Sequence, residues 1–165
     1  MIIVISGTPG TGKTDIAKAL AEKLGWKLIE LNKLAEEADL YEGYDEKRKC
    51  RVVDIEKMEM EISKLGGNYV LESHYAHDMP ADIVIILRVN PGELRKRLEK
   101  RGWSNEKIDE NVEAEIMEVC KTEALEQGRD VFEVDTTGKS AEEILGEIIS
   151  HLNIKNKNHK KQHKT

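Results

Sequence analysis

At 165 residues, 39% apolar and 35% charged, the chain has the size of one domain and needs neither disulfides nor metal to complete a core. Aromatic residues are only 4%, so that core must rest on Ile, Leu, Val and Ala. No apolar run approaches the roughly 20 residues a bilayer requires, MIIVISGTPG has no basic n-region, and Cys50 and Cys120 match no metal-ligand spacing; the expectation is a soluble, cytoplasmic protein with reduced thiols and no membrane partner.

Strand-like and helix-like segments alternate along the chain. IIVIS (2–6) is an unbroken β-branched run, as in a strand buried on both faces. TDIAKALAEKLG (14–25) puts Ile16, Leu20 and Leu24 at helical spacing before Gly25, and KLIEL (27–31) is a second short strand. The polar stretch 32–50 reads as a helical piece plus a turn. DIEKMEMEISKLGG (54–67) is an amphipathic helix, followed by strands at 68–73 and 82–89. A helix over 91–102, a long helical stretch over 105–128, a strand over 129–136 and a closing helix over 140–152 complete the domain. Ser140 and Glu143 are spaced as a capping box. Five strands separated by helices predict an α/β fold with a parallel sheet flanked by helices.

GTPGTGKT (7–14) satisfies every fixed position of G-x-x-x-x-G-K-[ST], directly between the first strand and the first helix. Glycines let successive N–H groups turn toward a phosphate, and the helix N-terminus adds positive potential at the same place. Gly10, Thr11, Gly12, Lys13, Thr14 and Asp15 are therefore the predicted ATP-binding set, with Lys13 on the β- and γ-phosphates and the Thr14 hydroxyl on Mg²⁺. A GTPase is disfavoured, because Asn32-Lys33-Leu34-Ala35 lacks the aspartate of the guanine-reading N-K-x-D element.

Four stretches carry a closer likeness: GTPGTGKT, LAEEADLYEGYDEKRKC leading to VVD (52–54), VLESH, and LEKRGWSNEKIDENVEAEIMEV (98–119). Together they resemble the adenylate-kinase-like family that includes the nuclear adenylate kinase isoenzyme six and its yeast and archaeal relatives. The resemblance implies a P-loop NTPase fold of adenylate-kinase type with sheet order 2-3-1-4-5. It also implies a nucleoside monophosphate (NMP) region near 30–53 and a lid near 100–111. The implied activities are NMP phosphorylation, ATP plus AMP giving two ADP, with a broad NMP range, and ATP hydrolysis, both with Mg²⁺. The implied partner is a platform protein of the small ribosomal subunit, in whose maturation such relatives take part.

In that frame Glu72 takes the Walker B carboxylate position, reaching Mg²⁺ directly or through water, and His74 matches the second position of a D-x-H motif that handles water. Arg101, in the lid-like RGW, is expected to reach phosphate or stack on adenine, which makes Lys13, Glu72, His74 and Arg101 the predicted catalytic set. Lys139, in DTTGKS (135–140), is either an ATP contact or part of a turn before the capping box. Some relatives carry an arginine where LAEE has Glu36, so Lys33, Arg48 and Arg51, with Lys47 beside them, are the candidates to hold the acceptor phosphate. The alternative for the 47–51 cluster is a charged turn. Arg95 and Arg97 read better as a solvated helix face, Glu113 and Glu115 as helix surface or packing partners of the lid, and His77 as background rather than half of a zinc pair.

The net charge of −6 is uneven: residues 153–165 hold five lysines and no acid, which leaves −11 on the body. This tail is expected to be disordered, and either a solvated terminus or an arm with weak attraction for RNA.

Overall fold

The computed structural model describes the backbone of residues 1–162 and the side chains of residues 1–153. Strand β1 (Ile2–Ser6) leads through the glycine loop into α1 (Lys13–Leu24) and β2 (Lys27–Glu30). Helix α2 (Leu31–Glu37), strands β3 (Tyr41–Asp45) and β4 (Cys50–Val53), helix α3 (Ile55–Ser63) and β5 (Tyr69–Glu72) follow. After a single 3₁₀ turn (Ala76–Asp78) come β6 (Ile83–Arg88), α4 (Pro91–Lys100), α5 (Asn105–Ile116), α6 (Val119–Glu126), β7 (Val131–Asp135) and α7 (Ala141–Gln162).

The main sheet is parallel, in the order β2-β5-β1-β6-β7. That is the predicted 2-3-1-4-5 arrangement of the five expected strands. Side chains of a strand alternate between faces, so β1 divides its apolar run between two cores. Ile3 and Ile5 join Ile16, Leu20, Ile144 and Ile148 under α1 and α7. Val4 joins Leu31, Met58, Ile62 and Met79 on the opposite face. Both layers are buried, which is why these strands read as continuous apolar runs rather than alternating ones.

Three segments differ from the expected elements. Residues 41–53 form an antiparallel hairpin, not a helical piece plus a turn. Tyr41 pairs with Val53, Gly43 marks a register shift, and the Arg51 guanidinium lies 3.6 Å from the centre of the Tyr41 ring. The acidic and basic residues around the turn hide this pairing from a periodicity argument. The long stretch 105–128 is broken at Glu118, which adopts left-handed φ of 54°. Arg88 donates to the Glu115 carbonyl at 2.8 Å, taking an acceptor that a continuous helix would use internally. Finally, the backbone of α7 continues to Gln162 instead of ending at Leu152, because no proline or glycine follows Gly146 to stop it. The disordered tail expected over 153–165 is thus helical in backbone through Gln162, and 163–165 lie outside the described residues. Among the described residues no helix is long and apolar enough to cross a membrane.

Strand β1 and its neighbours end on the same side of the sheet, where the glycine loop leaves β1. Ligands of open parallel sheets bind at the carboxyl ends of the strands, so this edge is where a site is expected.

Candidate functional site

The loop after β1 is built from backbone that side chains would spoil. Gly7, Gly10 and Gly12 have φ of 143°, 96° and 90°. A Cβ on Gly7 would meet the Leu87 carbonyl oxygen at 2.5 Å, and one on Gly10 would meet Leu94 Cδ1 at 2.8 Å. Gly7→Ala is therefore expected to cost about 2–4 kcal/mol, from left-handed strain plus displacement of β6. Urea unfolding checks this: the midpoint should fall at unchanged slope, and an unshifted midpoint would contradict the close approach.

Lys13 opens α1 and is only 8% exposed. Its ammonium donates to the Thr8 carbonyl at 3.1 Å, inside the loop it belongs to. Burial lowers its pKa to about 8, partly offset by the Glu72 carboxylate. Glu72, at the end of β5, is itself pushed above the ordinary carboxylate value, by burial first, against the pull of Lys13. The Thr14 hydroxyl donates to Glu72 Oε2 at 3.4 Å. Those two oxygens are spaced close to one edge of a Mg²⁺ octahedron, about 3 Å for ligands at 2.1 Å, so they fit the ion. Among the described residues no cluster of three His, Cys, Asp or Glu side chains is placed to hold a metal. An ion carried mainly by phosphates and water needs no such cluster.

These residues line one cleft of about 330 Å³, with Pro9, Gly10, Gly12, Asp15, Asn32, His74 and Arg101 completing its wall. The structure thus brings together Lys13, Thr14, Glu72, His74 and Arg101, drawn from four separate segments. Thr11 lies within the loop, buried, its hydroxyl donating to the Thr8 carbonyl at 2.9 Å. His74 has a solvent-exposed face although protein surrounds it on most sides. That crowding, then the Lys13 charge, drives its pKa below the ordinary imidazole value. Water at the open face moderates the effect, so its direction is the firm point: the ring is neutral near pH 7 while the cleft is empty.

The remaining predicted residues lie elsewhere or are engaged. Lys139 is not in the cleft wall; its ammonium pairs with Glu147 on α7 at 2.7 Å. On the acceptor side all three predicted cations already face carboxylates. Lys33 pairs with Glu30, Arg51 with Asp39, and Arg48 with Glu110 at 2.7 Å and Asp45 at 3.5 Å. The Arg48 contact joins the hairpin to α5 across the cleft. Arg97, expected on a solvated face, donates to the Gly10 carbonyl at 3.2 Å, whereas Arg95 is exposed and pairs with Asp109.

Several residues at the site escaped the sequence reading. Asn32 lines the cleft from α2, and Thr136 is buried against the loop, donating to the Arg88 carbonyl at 2.8 Å. His77 is not background. It is 2% exposed, with Nδ1 2.7 Å from Ser6 Oγ and Nε2 2.8 Å from Glu123 Oε2. Glu115 is likewise buried, at 2% exposure, while Glu113 is exposed. A signal existed for Glu115: it falls seven residues after Ile108 and three after Val112, on the inward face of α5. A carboxylate at a core-facing position demands partners.

Comparison with known proteins agrees with this geometry. Residues 3–118 match the family model described as an AAA domain. A "Putative adenylate kinase" of Methanosarcina acetivorans is 48% identical over 157 residues, covering 90% of this chain and 84% of that one. A protein of the same description from Pyrococcus furiosus is 46% identical over 153 residues, covering 93% and 84%. Among solved structures, a deoxyadenosine kinase from M. mycoides superposes with a TM-score of 0.61 at 20% identity, covering 93% of this chain and 98% of that one. YorR of Bacillus subtilis superposes at 0.63 with 18% identity, covering 94% and 98%. The two structural likenesses carry the fold, a kinase-type P-loop α/β domain. On the sequence matches, the chain belongs to the AAA-domain family, together with these archaeal relatives.

Proposed function

We propose that the protein is an ATP-dependent nucleoside monophosphate kinase of adenylate-kinase type, converting ATP and AMP to two ADP with Mg²⁺. The observation that carries this is the single cleft in which Lys13, Thr14 and Glu72 face His74 and Arg101. The archaeal relatives' description as adenylate kinases points the same way.

Phosphoryl transfer demands positioning and charge neutralisation more than covalent help. The loop amides and Lys13 hold the β- and γ-phosphates, and Arg101 approaches from the lid side. Thr14 and Glu72 hold Mg²⁺, which when bound neutralises charge on the transferring phosphate. A monophosphate acceptor is already an anion and needs no general base, so His74 is not required to take a proton from it. Neutral His74 instead suits a water molecule, accepting its hydrogen bond.

A second reading, ATP hydrolysis with water as acceptor, is favoured by the acceptor-side pairing: Lys33, Arg48 and Arg51 are each matched by a carboxylate. Comparing ADP formation from ATP plus each NMP with phosphate release from ATP alone decides between the two. A faster reaction with an NMP supports the kinase; equal rates sink it as the main activity. His74→Ala is expected to lower phosphate release about tenfold or more while slowing NMP phosphorylation less. Equal losses in both would remove the water-handling role.

If an NMP is the acceptor, Arg48 must exchange Glu110 and Asp45 for its phosphate. Arg48→Ala then raises KM for AMP about tenfold and leaves KM for ATP nearly constant. An unmoved KM for AMP would take Arg48 out of the site. Participation in small-subunit maturation, implied by family resemblance, predicts nucleotide-dependent recovery of a platform ribosomal protein in pull-downs. RNA attraction by the basic tail predicts a flatter salt dependence once residues 153–165 are deleted.

A further inference from the structure

The polar groups buried behind the phosphate loop form a connected set. Thr8, second residue of the loop, is 3% exposed, and its hydroxyl donates to Glu115 Oε2 at 2.6 Å. The other carboxylate oxygen, Oε1, accepts from Arg88 Nε at 2.6 Å and from the Val89 amide at 3.1 Å. Arg88 also binds Glu118 at 2.7 Å, at the break between α5 and α6. From the same helical pair, Glu123 reaches Ser6 through His77. Both neighbours of Gly7 are therefore gripped from α5 and α6, directly or through one imidazole.

The Thr8 grip matters because the opposite side of that residue faces the chemistry. Its carbonyl accepts from the Lys13 ammonium at 3.1 Å and from the Thr11 hydroxyl at 2.9 Å. Fixing the Thr8 side chain fixes the carbonyl that parks Lys13 before nucleotide arrives. Nothing about fold stability requires a carboxylate here: a valine–leucine contact would bury the same space without desolvating charge. Helix α5 begins directly after Arg101–Ser104, the segment that carries the cleft arginine.

We propose that Glu115 is a positioning residue for ATP binding, setting the phosphate loop through the Thr8 hydroxyl and tying it to the helix that follows the lid turn. This rests on the reading of the cleft as an ATP site. Glu115 touches no substrate; it acts through Thr8, and Arg88 holds it in place.

The experiment measures binding of a Mg²⁺-bound, non-hydrolysable ATP analogue to the full chain, comparing wild type, Thr8→Val, Thr8→Ser and Glu115→Gln with Thr8→Val/Glu115→Gln. Valine keeps the shape of threonine and removes the hydroxyl, whereas serine keeps the hydroxyl and removes the methyl. Thr8→Val is expected to weaken the analogue about tenfold, from loss of a buried hydrogen bond to a charged group, and Thr8→Ser to stay within about twofold of wild type. Adding Glu115→Gln to Thr8→Val should then weaken it by less than Glu115→Gln does alone, because both act through one contact. A purely structural role would not give rescue by serine. Equal affinity in wild type and Thr8→Val, equal loss in the valine and serine variants, or full additivity overturns the proposal. Failure of the wild-type protein to bind the analogue would refute the ATP reading itself, and this inference with it.

Discussion

Lys13→Ala is expected to reduce phosphoryl transfer by about 10³-fold or more, the largest single loss at this site. The side chain is nearly enclosed, so nothing replaces its charge against the β- and γ-phosphates. Steady-state assays with ATP varied at fixed Mg²⁺ read the effect. Retention of a tenth of wild-type kcat/KM would mean that the loop amides alone suffice. The same residue gives a pH signature. In the empty cleft burial holds its pKa near about 8, below the ordinary lysine value. Bound phosphates favour the charged form and raise it. The protonated form is therefore the binding form, and it is lost from the free protein as pH rises through about 8. ATP affinity should fall above that pH, with proton uptake on binding between about 8 and the bound-state pKa. Calorimetry in buffers of different ionisation enthalpy measures that uptake. Binding without proton exchange at pH 9 would show that Lys13 stays charged in the free protein.

Glu72→Gln should lower turnover by about 10²–10³-fold and raise the Mg²⁺ concentration needed for half-maximal rate. The amide keeps the shape and one acceptor oxygen but not the negative charge that a hard cation requires. Stability should move little or even improve. The Glu72 carboxylate lies in a buried setting that raises its pKa, with Glu30 adding to the rise, and only Lys13, Thr14 and Lys33 oppose this. Removing that unfavourable charge relieves desolvation, as is common where function and stability conflict. A melting point at or above wild type beside a collapsed rate would fit a functional carboxylate. Full activity at saturating Mg²⁺ would end the metal-ligand assignment.

The two expectations differ in how they were reached. Lys13 follows from eight contiguous residues in the order strand, loop, helix, and the structure gives those residues the left-handed glycines that the order demands. Glu72 was legible as the acidic end of an apolar run. That its oxygen stands beside Thr14 depends on β5 pairing next to β1. His77 is the reverse case: flanked by Ala76 and Asp78 in a loop it looks like background, and only packing of α6 against the 3₁₀ turn gives both its nitrogens partners. The hairpin at 41–53 was missed because its strands are short, charged and mostly exposed, so no apolar alternation survives in the sequence.

By itself, then, the sequence determined the parts made within one segment: the phosphate loop, the helix caps, the buried strands and, through family resemblance, their order. Such features depend on neighbouring residues, whose conformational preferences and spacing are written in chain order. Tertiary structure alone decided the pairing of charges. Arg48 meets Glu110 across 62 residues and Thr8 meets Glu115 across 107. Lys139 turns to Glu147 on α7 rather than lining the cleft. A charged side chain takes whichever opposite charge the fold brings within a few ångströms, and that distance is set by helix packing, which local sequence does not encode.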